Sequence, residues 1–439
     1  MINSSLCIGK YMEMLDEIEP IKQHGKVTQL IGLVIEGHGA ACSVGDVCEI
    51  YPLVGGKPID VEVVGFRDEK ILMMPLGEIR GIGPGSKIAT KQYKTSIKVG
   101  DSLLGRVIDG MGNPIDWKGL PELDMSYPIY PFPLNPLCRK RIKDPLDMGI
   151  KAINGLLTIG KGQRIGIFAG SGVGKSILLG MLARNVASDV NVIALIGERG
   201  REVLEFIEKD LKEEGLRRTV VVTATSDQPP LVRARGAYIA TTIAEYFRDK
   251  GQDVLLMMDS ITRFAMAQRE IGLAIGEAPT TKGYTPSVFA QLPKLLERAG
   301  TSNRGSITGI YTVLVEGDDF DDPISDAVRA ILDGHIMLSR DLAAQNHYPA
   351  IDILNSTSRV MIDVVTEEHI NNTRKFLNIL ATYKKSEDMI NIGAYKEGSS
   401  PKIDNAIEMI DRINGYLKQG INEKIDFNNS LTQLSQLFS

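Results

Sequence analysis

The sequence predicts an α/β protein: a parallel, doubly wound sheet with a small antiparallel barrel or sandwich before it and a helical cap after it. Three observations carry this. From residue 163 to residue 258 short apolar runs alternate with helical stretches, the pattern that builds parallel sheets. Between residues 25 and 86 apolar runs alternate instead with Gly-rich turns, as in small antiparallel barrels. Beyond about Thr366 the strand signals disappear and helical periodicity remains.

In chain order, a helix drawn over residues 6–18 places Leu6, Met12, Leu15 and Ile18 roughly on one side. A short helix with one apolar side needs a partner to cover it, and Glu13, Asp16, Glu17 and Glu19 favour a protein over anionic lipid. Strands are then expected over 27–35, 47–53, 59–66 and 71–76, broken by Gly37, Gly39, the Gly55-Gly56 pair and the glycines of 81–85. Between Pro114 and Pro145 lie Pro121, Pro128, Pro131, Pro133 and Pro136, which exclude helix and central strand and predict an extended connector. Strands over 163–169, 191–196, 219–223 and 253–258 follow, interleaved with helices over 175–187, 201–211 and 232–249. Near the end, Ser400-Pro401 reads as a cap with proline at the first helical position. Ile403, Ile407, Ile410, Ile413 and Leu417 then form one face.

The chain has 439 residues, enough for about three domains at roughly 150 each. Its 43% apolar and 24% charged residues are those of an ordinary globular protein and exclude a disordered or fibrous one. No apolar run approaches the roughly 20 residues of a membrane span, and the acidic N-terminus does not read as a secretory signal. The expected location is therefore the cytoplasm. Cys7, Cys42, Cys48 and Cys138 show no CxxC pairing and are expected to be reduced structural thiols. A net charge of −5 gives no general attraction to phosphate backbones, so nucleic acid is not the expected partner.

Residues 169–176 read AGSGVGKS, directly after an apolar strand and directly before a helix. Gly170, Gly172 and Gly174 let backbone N–H groups converge on phosphate oxygens, and the helix N-terminus adds partial positive charge. Lys175 is placed to reach the β and γ phosphates, and the Ser176 hydroxyl to ligate magnesium. Gly170, Ser171, Gly172, Val173, Gly174, Lys175, Ser176 and Ile177 are the candidate nucleotide-binding set. Asp259, the acid that closes the apolar run 254–258, sits where it can hold a magnesium water or cap the next helix. A second acid, Glu198, also ends a strand and is either a water-orienting carboxylate or an exposed turn residue.

With IGERGRE (196–202), DVLLMMDSITRF (253–264) and HYPAIDILNSTSR (347–359), the phosphate loop resembles the rotary F1/V1-type ATPase family. The segments at 226–238, 265–300 and 311–326 resemble its type III protein-export branch, flagellar more than virulence-secretion. The resemblance implies a β-barrel domain at 25–90, a RecA-like ATPase domain at 91–365 and a helical domain at 366–439, after a partner-binding segment at 1–24. It implies Mg²⁺ with ATP or ADP, and a homohexamer with catalytic sites between subunits. Catalytic roles are implied for Lys175, for Glu198 as activator of the attacking water, for Arg199 as a phosphate-side contact, and for Arg359 as an arginine finger given to an adjacent subunit. Tyr348 matches the position that packs on adenine. Asp318 and Asp319 match a loop facing the pore, where a central stalk protein would touch them. Further implied partners are a stator-like negative regulator at the N-terminus, export substrates and chaperones, and an export gate at the cytoplasmic face of the membrane. Ala278 and Asn154 depart from the family pattern, which has proline and aspartate there in many relatives. Two rival functions differ in what they need. A non-catalytic nucleotide-binding subunit would lack the Glu198 carboxylate, and an RNA translocase would need aromatic residues among basic ones in the first domain, where only Tyr51 and Phe66 are available.

Overall fold

The computed structural model describes residues 24–91, 96–315 and 322–438. The helix expected over 6–18 and the residues Asp318 and Asp319, expected to face a pore, lie outside the described residues. Two compact units divide the chain, Met1–Thr95 and Ser96–Ser439.

In the first unit six strands form a closed barrel: β1 (His24–Ile31), β2 (Val34–His38), β3 (Val47–Tyr51), β4 (Ile59–Arg67), β5 (Lys70–Pro75) and β6 (Lys87–Thr90), in the order β1-β2-β5-β4-β3-β6, with β6 pairing back on β1. Alternate residues fill the interior, including Val27, Ile35, Ile50, Val61, Val63, Met73 and Ile88. The apolar run at 27–35, expected as one strand, is a hairpin: Ile31 faces Val34 across a turn in which Gly32 has φ 56°. Leu30, Ile31 and Leu33 are exposed around that turn, so an apolar run disguises a bend that only glycine takes at no steric cost. Cys48 is fully buried, and burial pushes its thiol up to about 12, as expected of an inert structural thiol.

In the second unit β7 (Ser96–Val99) pairs with β9 (Met125–Pro128), while β8 (Val107–Asp109) joins the edge of the main sheet. The remaining strands are β10 (Arg164–Ala169), β11 (Val190–Ile196), β12 (Thr219–Ala224), β13 (Asp253–Asp259), β14 (Gly300–Thr301), β15 (Ser306–Leu314), β16 (Gly334–Leu338) and β17 (Ile351–Ser358). Their order is β17-β16-β10-β15-β13-β11-β12-β8, with β14 beside β15. Every residue of β11 and β12 is buried, as covering both faces of a parallel sheet with helices requires. The Pro-rich connector contains β9 and one 3₁₀ turn, Pro136–Cys138.

Only β14 and β17 run antiparallel to their neighbours in this sheet, among the described residues. In β17, Ile351 pairs with Leu338 at the end of β16, and Ser358 pairs near its start with Gly334. The strand therefore carries the chain back along the full length of β16, with a bulge opposite His335–Met337.

The helices Glu367–Asn391, Pro401–Leu417 and Phe427–Ser435 share one apolar core with the sheet, in which Phe376, Ile413 and Leu434 join Ile153, Ile165 and Ile351. The buried stripe of the middle helix is Ala406, Met409, Ile413, Tyr416 and Leu417, and Ile407 is 38% exposed. The isoleucine pattern thus gives the helix correctly and places Ile413 and Leu417 inside, but Ile407 turns outward while Ala406, Met409 and Tyr416 take inner positions. The helix expected over 201–211 continues from Gly200–Glu205 through a π-helical turn, Phe206–Leu211, into Lys212–Leu216.

Candidate nucleotide site

At the carboxyl end of β10 the chain turns through Gly170–Gly174 into the helix Lys175–Asn185. Gly172 and Gly174 have φ of 79° and 91°, values that favour glycine. Val173 is buried and anchors the loop, while Ser171, Gly172 and Ser176 face solvent and Ile177 is half-buried. The N–H groups of the first helical turn have no intrahelical partner, so this open loop is an anion cradle.

Lys175 and the two acids meet there. The Lys175 ammonium pairs with Asp259 Oδ1 and lies 3.7 Å from Glu198 Oε1. Thr312 Oγ1 donates to Asp259 Oδ1 at 2.6 Å. The next helix, Ile261–Ala274, is capped not by Asp259 but by Ser260, whose hydroxyl accepts from the Arg263 N–H at 3.3 Å. Glu198 stands two residues beyond β11, its side chain 12% exposed and its Oε1 buried without a hydrogen-bond partner. Burial, reinforced by the Asp259 charge and opposed by Lys175, raises its carboxyl to about 7. An acid held near neutrality, beside a phosphate loop and with one buried oxygen that accepts no hydrogen bond, is equipped to orient and activate a water.

Arg263 belongs to the same cluster and was not singled out from the sequence. Its stem packs so closely on Gly197 that a Cβ there would lie 2.8 Å from it, and its Nε is buried without a hydrogen-bond partner. Its position four residues after Asp259, in the first turn of a helix, was the available signal.

For magnesium, the fit is that of an ion shared with a phosphate ligand. No group of three or more His, Cys, Asp or Glu among the described residues is arranged to hold a metal by itself. The donor set present is the exposed Ser176 hydroxyl and the Asp259 carboxylate, with Glu198 Oε1 unpartnered beside them. Few protein oxygens completed by water and phosphate are what this metal accepts.

Tyr348 lies on the same side of the sheet. A Cβ on Gly174 would meet its ring at 3.2 Å, so the aromatic edge borders the phosphate loop. The other two expected residues are not brought in. Arg199 is exposed, 3.8 Å from Glu202 and turned to solvent. Arg359 follows β17, its N–H bonded to the Asp333 carbonyl at 3.0 Å and its guanidinium exposed, with one 3.5 Å contact to the Arg329 carbonyl. Because β17 is antiparallel, Tyr348 is at the phosphate-loop end of the sheet and Arg359 at the opposite end. β17 runs back along the five residues of β16, a span of about 13 Å at ~3.3 Å per residue, its extra residues taken up by a bulge opposite His335–Met337.

Residues 149–358 match the nucleotide-binding domain of the ATP synthase alpha/beta family, and residues 365–436 match the C-terminal domain of the type III secretion ATPase EscN. A flagellum-specific ATP synthase of Bacillus subtilis is 54% identical over 97% of this chain and 98% of its own length. A type 3 secretion system ATPase of Xanthomonas euvesicatoria is 48% identical over 95% of this chain and 94% of its own. The assembled ATPase EscN of enteropathogenic E. coli superposes with a TM-score of 0.89 at 45% identity, covering 94% of this chain and 100% of that one. EscN in complex with its central stalk EscO superposes with a TM-score of 0.88 at 45% identity, with the same coverage. The phosphate loop, the acids beside it and these full-length matches lead to one conclusion: the chain belongs to the ATP synthase alpha/beta family of P-loop ATPases.

Proposed function

We propose that this chain is the ATP hydrolase of a flagellar type III protein export apparatus, acting as a homohexamer whose catalytic sites lie between subunits. The observation that carries the shared site is the direction of β17, which puts Arg359 at the end of the sheet away from its own phosphate loop. Arg359 therefore serves a neighbouring copy, where its charge meets the negative charge spread over the phosphoryl oxygens in the transition state.

Within one copy the backbone of 170–177 cradles the triphosphate, and Lys175 leaves Asp259 to reach the β and γ phosphates. Asp259, so released, and Ser176 face magnesium, which when bound neutralises phosphate charge. Glu198 orients the attacking water and takes its proton. Arg263 is placed to receive phosphate charge, Arg199 is a phosphate contact that must turn inward, and Tyr348 packs on adenine. In this reading 1–24 binds a stator-like regulator, the loop with Asp318 and Asp319 meets a central stalk, and 366–439 forms the helical domain. The hexamer works with export substrates, chaperones and an export gate at the cytoplasmic face of the membrane. A virulence-secretion role is the second reading, favoured by the C-terminal match to EscN.

The test is ATPase rate against protein concentration. Specific activity is expected to rise cooperatively, and a mixture of Glu198→Gln and Arg359→Ala chains is expected to recover turnover that neither has alone. Activity independent of concentration, with no recovery on mixing, would overturn the proposal.

A further inference from the structure

One buried side chain outside the phosphate site joins three parts of the second unit. Gln419, 5% exposed, lies just past the helix Pro401–Leu417. Its backbone N–H donates to the carbonyl of Tyr348 at 3.0 Å. Its Oε1 accepts from the Lys151 N–H at 2.8 Å, an amide in the first turn of the helix Lys151–Leu156 that has no partner within that helix. Its Nε2 donates to the Gly149 carbonyl at 2.8 Å and to the Glu423 carbonyl at 2.9 Å.

These partners are themselves braced. A Cβ on Gly149 would lie 2.4 Å from Asn185 Cβ, so Gly149 presses on the far end of the phosphate-loop helix. Asn185 Nδ2 donates to the Glu423 carbonyl at 3.3 Å, and Arg184 donates to the Ile421 carbonyl at 2.9 Å. The stretch 419–423 is thus fixed to both ends of one path: the base of the helix that starts at Lys175, and the backbone of the tyrosine whose ring borders Gly174.

We propose that Gln419 is a positioning residue that holds Tyr348 in register with the phosphate loop and so sets affinity for the base of the nucleotide without entering the chemistry. This rests on the reading that Tyr348 packs on adenine. Only a carboxamide satisfies the position, because Oε1 must accept while Nε2 donates twice. Glutamate has the same shape but sets a carboxylate oxygen against the Gly149 and Glu423 carbonyls, and methionine fills the space with no polar group.

The test compares Gln419→Glu and Gln419→Met with Tyr348→Ala and with the Tyr348→Ala/Gln419→Met double variant, at assembled concentrations. The readouts are KM and kcat for ATP, binding of inorganic tripolyphosphate, and thermal melting. Each Gln419 variant is expected to raise KM for ATP about ten-fold, because losing the side-chain bonds that fix residue 419 loosens its backbone bond to Tyr348, with kcat within about two-fold. Tripolyphosphate, having no base, is expected to bind as before, and the double variant to be no worse in KM than Tyr348→Ala alone. If Tyr348→Ala raises KM while both Gln419 variants leave it unchanged, or if the two effects add fully, the proposal fails and the adenine reading stands. Equal weakening of ATP and tripolyphosphate would also overturn it, by showing a general loosening of the fold. A Tyr348→Ala chain with normal KM would instead sink the adenine reading. Should Gln419→Glu fail to fold, Gln419→Met carries the comparison.

Discussion

The Lys175 ammonium is paired with the Asp259 carboxylate, so the cation of the phosphate loop and the acid that ends β13 hold each other across the site. Each group fixes the other in place. In the proposed mechanism, nucleotide binding would exchange this internal pair for contacts of Lys175 with phosphate and of Asp259 with the metal, and those contacts would offset the cost of separating buried charges.

Removing the cation separates these contributions. Lys175→Ala leaves Asp259 and Glu198 facing each other without a counter-charge. Turnover is expected to fall at least ~100-fold, the loss seen when one preorganised charge is taken from a transition state. Thermal melts with and without ATP are expected to show the nucleotide's stabilising shift largely gone.

The Glu198 carboxyl, raised to about 7 from an ordinary 4.5, makes stability fall with pH. The native state holds this proton more tightly than the unfolded chain. The stabilisation is therefore complete below about 4.5 and is lost as pH rises through about 7. Glu198→Gln, neutral throughout, is expected to match the parent at pH 5 and to exceed it at pH 8 by at most about 3 kcal/mol, while its turnover nearly vanishes. Denaturant midpoints at the two pH values measure this.

Arg359→Ala is expected to keep ATP binding and to lose about 10³-fold in kcat. Arg359→Lys is expected to restore little, since an ammonium lacks the planar fork that meets two phosphoryl oxygens at once. Turnover at saturating ATP, set beside a nucleotide-binding titration, distinguishes loss of chemistry from loss of affinity.

Asn154 is fully buried, accepting from the Met148 N–H at 2.9 Å and donating to Asp147 Oδ1 at 2.8 Å. Asn154→Asp replaces that donor with a second acid and is expected to cost about 2 kcal/mol at neutral pH. The new carboxyl would have a raised pKa, so the deficit should shrink toward acid pH, where a protonated acid can donate again. Adding Asp147→Asn is expected to recover most of the loss in thermal melts.

Much of the site was legible because it is local. Gly170 to Ser176 and Asp259 depend on a strand ending and a helix beginning, and both boundaries are written in apolar runs and glycines. Arg263 was missed because its packing on Gly197 joins the ends of two neighbouring strands, and its place four residues after Asp259 marks it only weakly in its own segment. Glu198 was equally open to a turn reading, and burial between Lys175 and Asp259 is what distinguishes it. The hairpin at Gly32 and the inner face of Pro401–Leu417 were misjudged for a shared reason. Apolar residues exposed at Leu33 and Ile407 look in sequence like apolar residues inside.

The reversed course of β17 also bears on inheritance. In the proposed ring every copy would both lend a guanidinium and borrow one, so a copy carrying Glu198→Gln together with Arg359→Ala would silence its own pocket and an adjacent one. Produced beside the normal protein, such a subunit would poison mixed rings out of proportion to its share, and the mutant allele should behave as dominant.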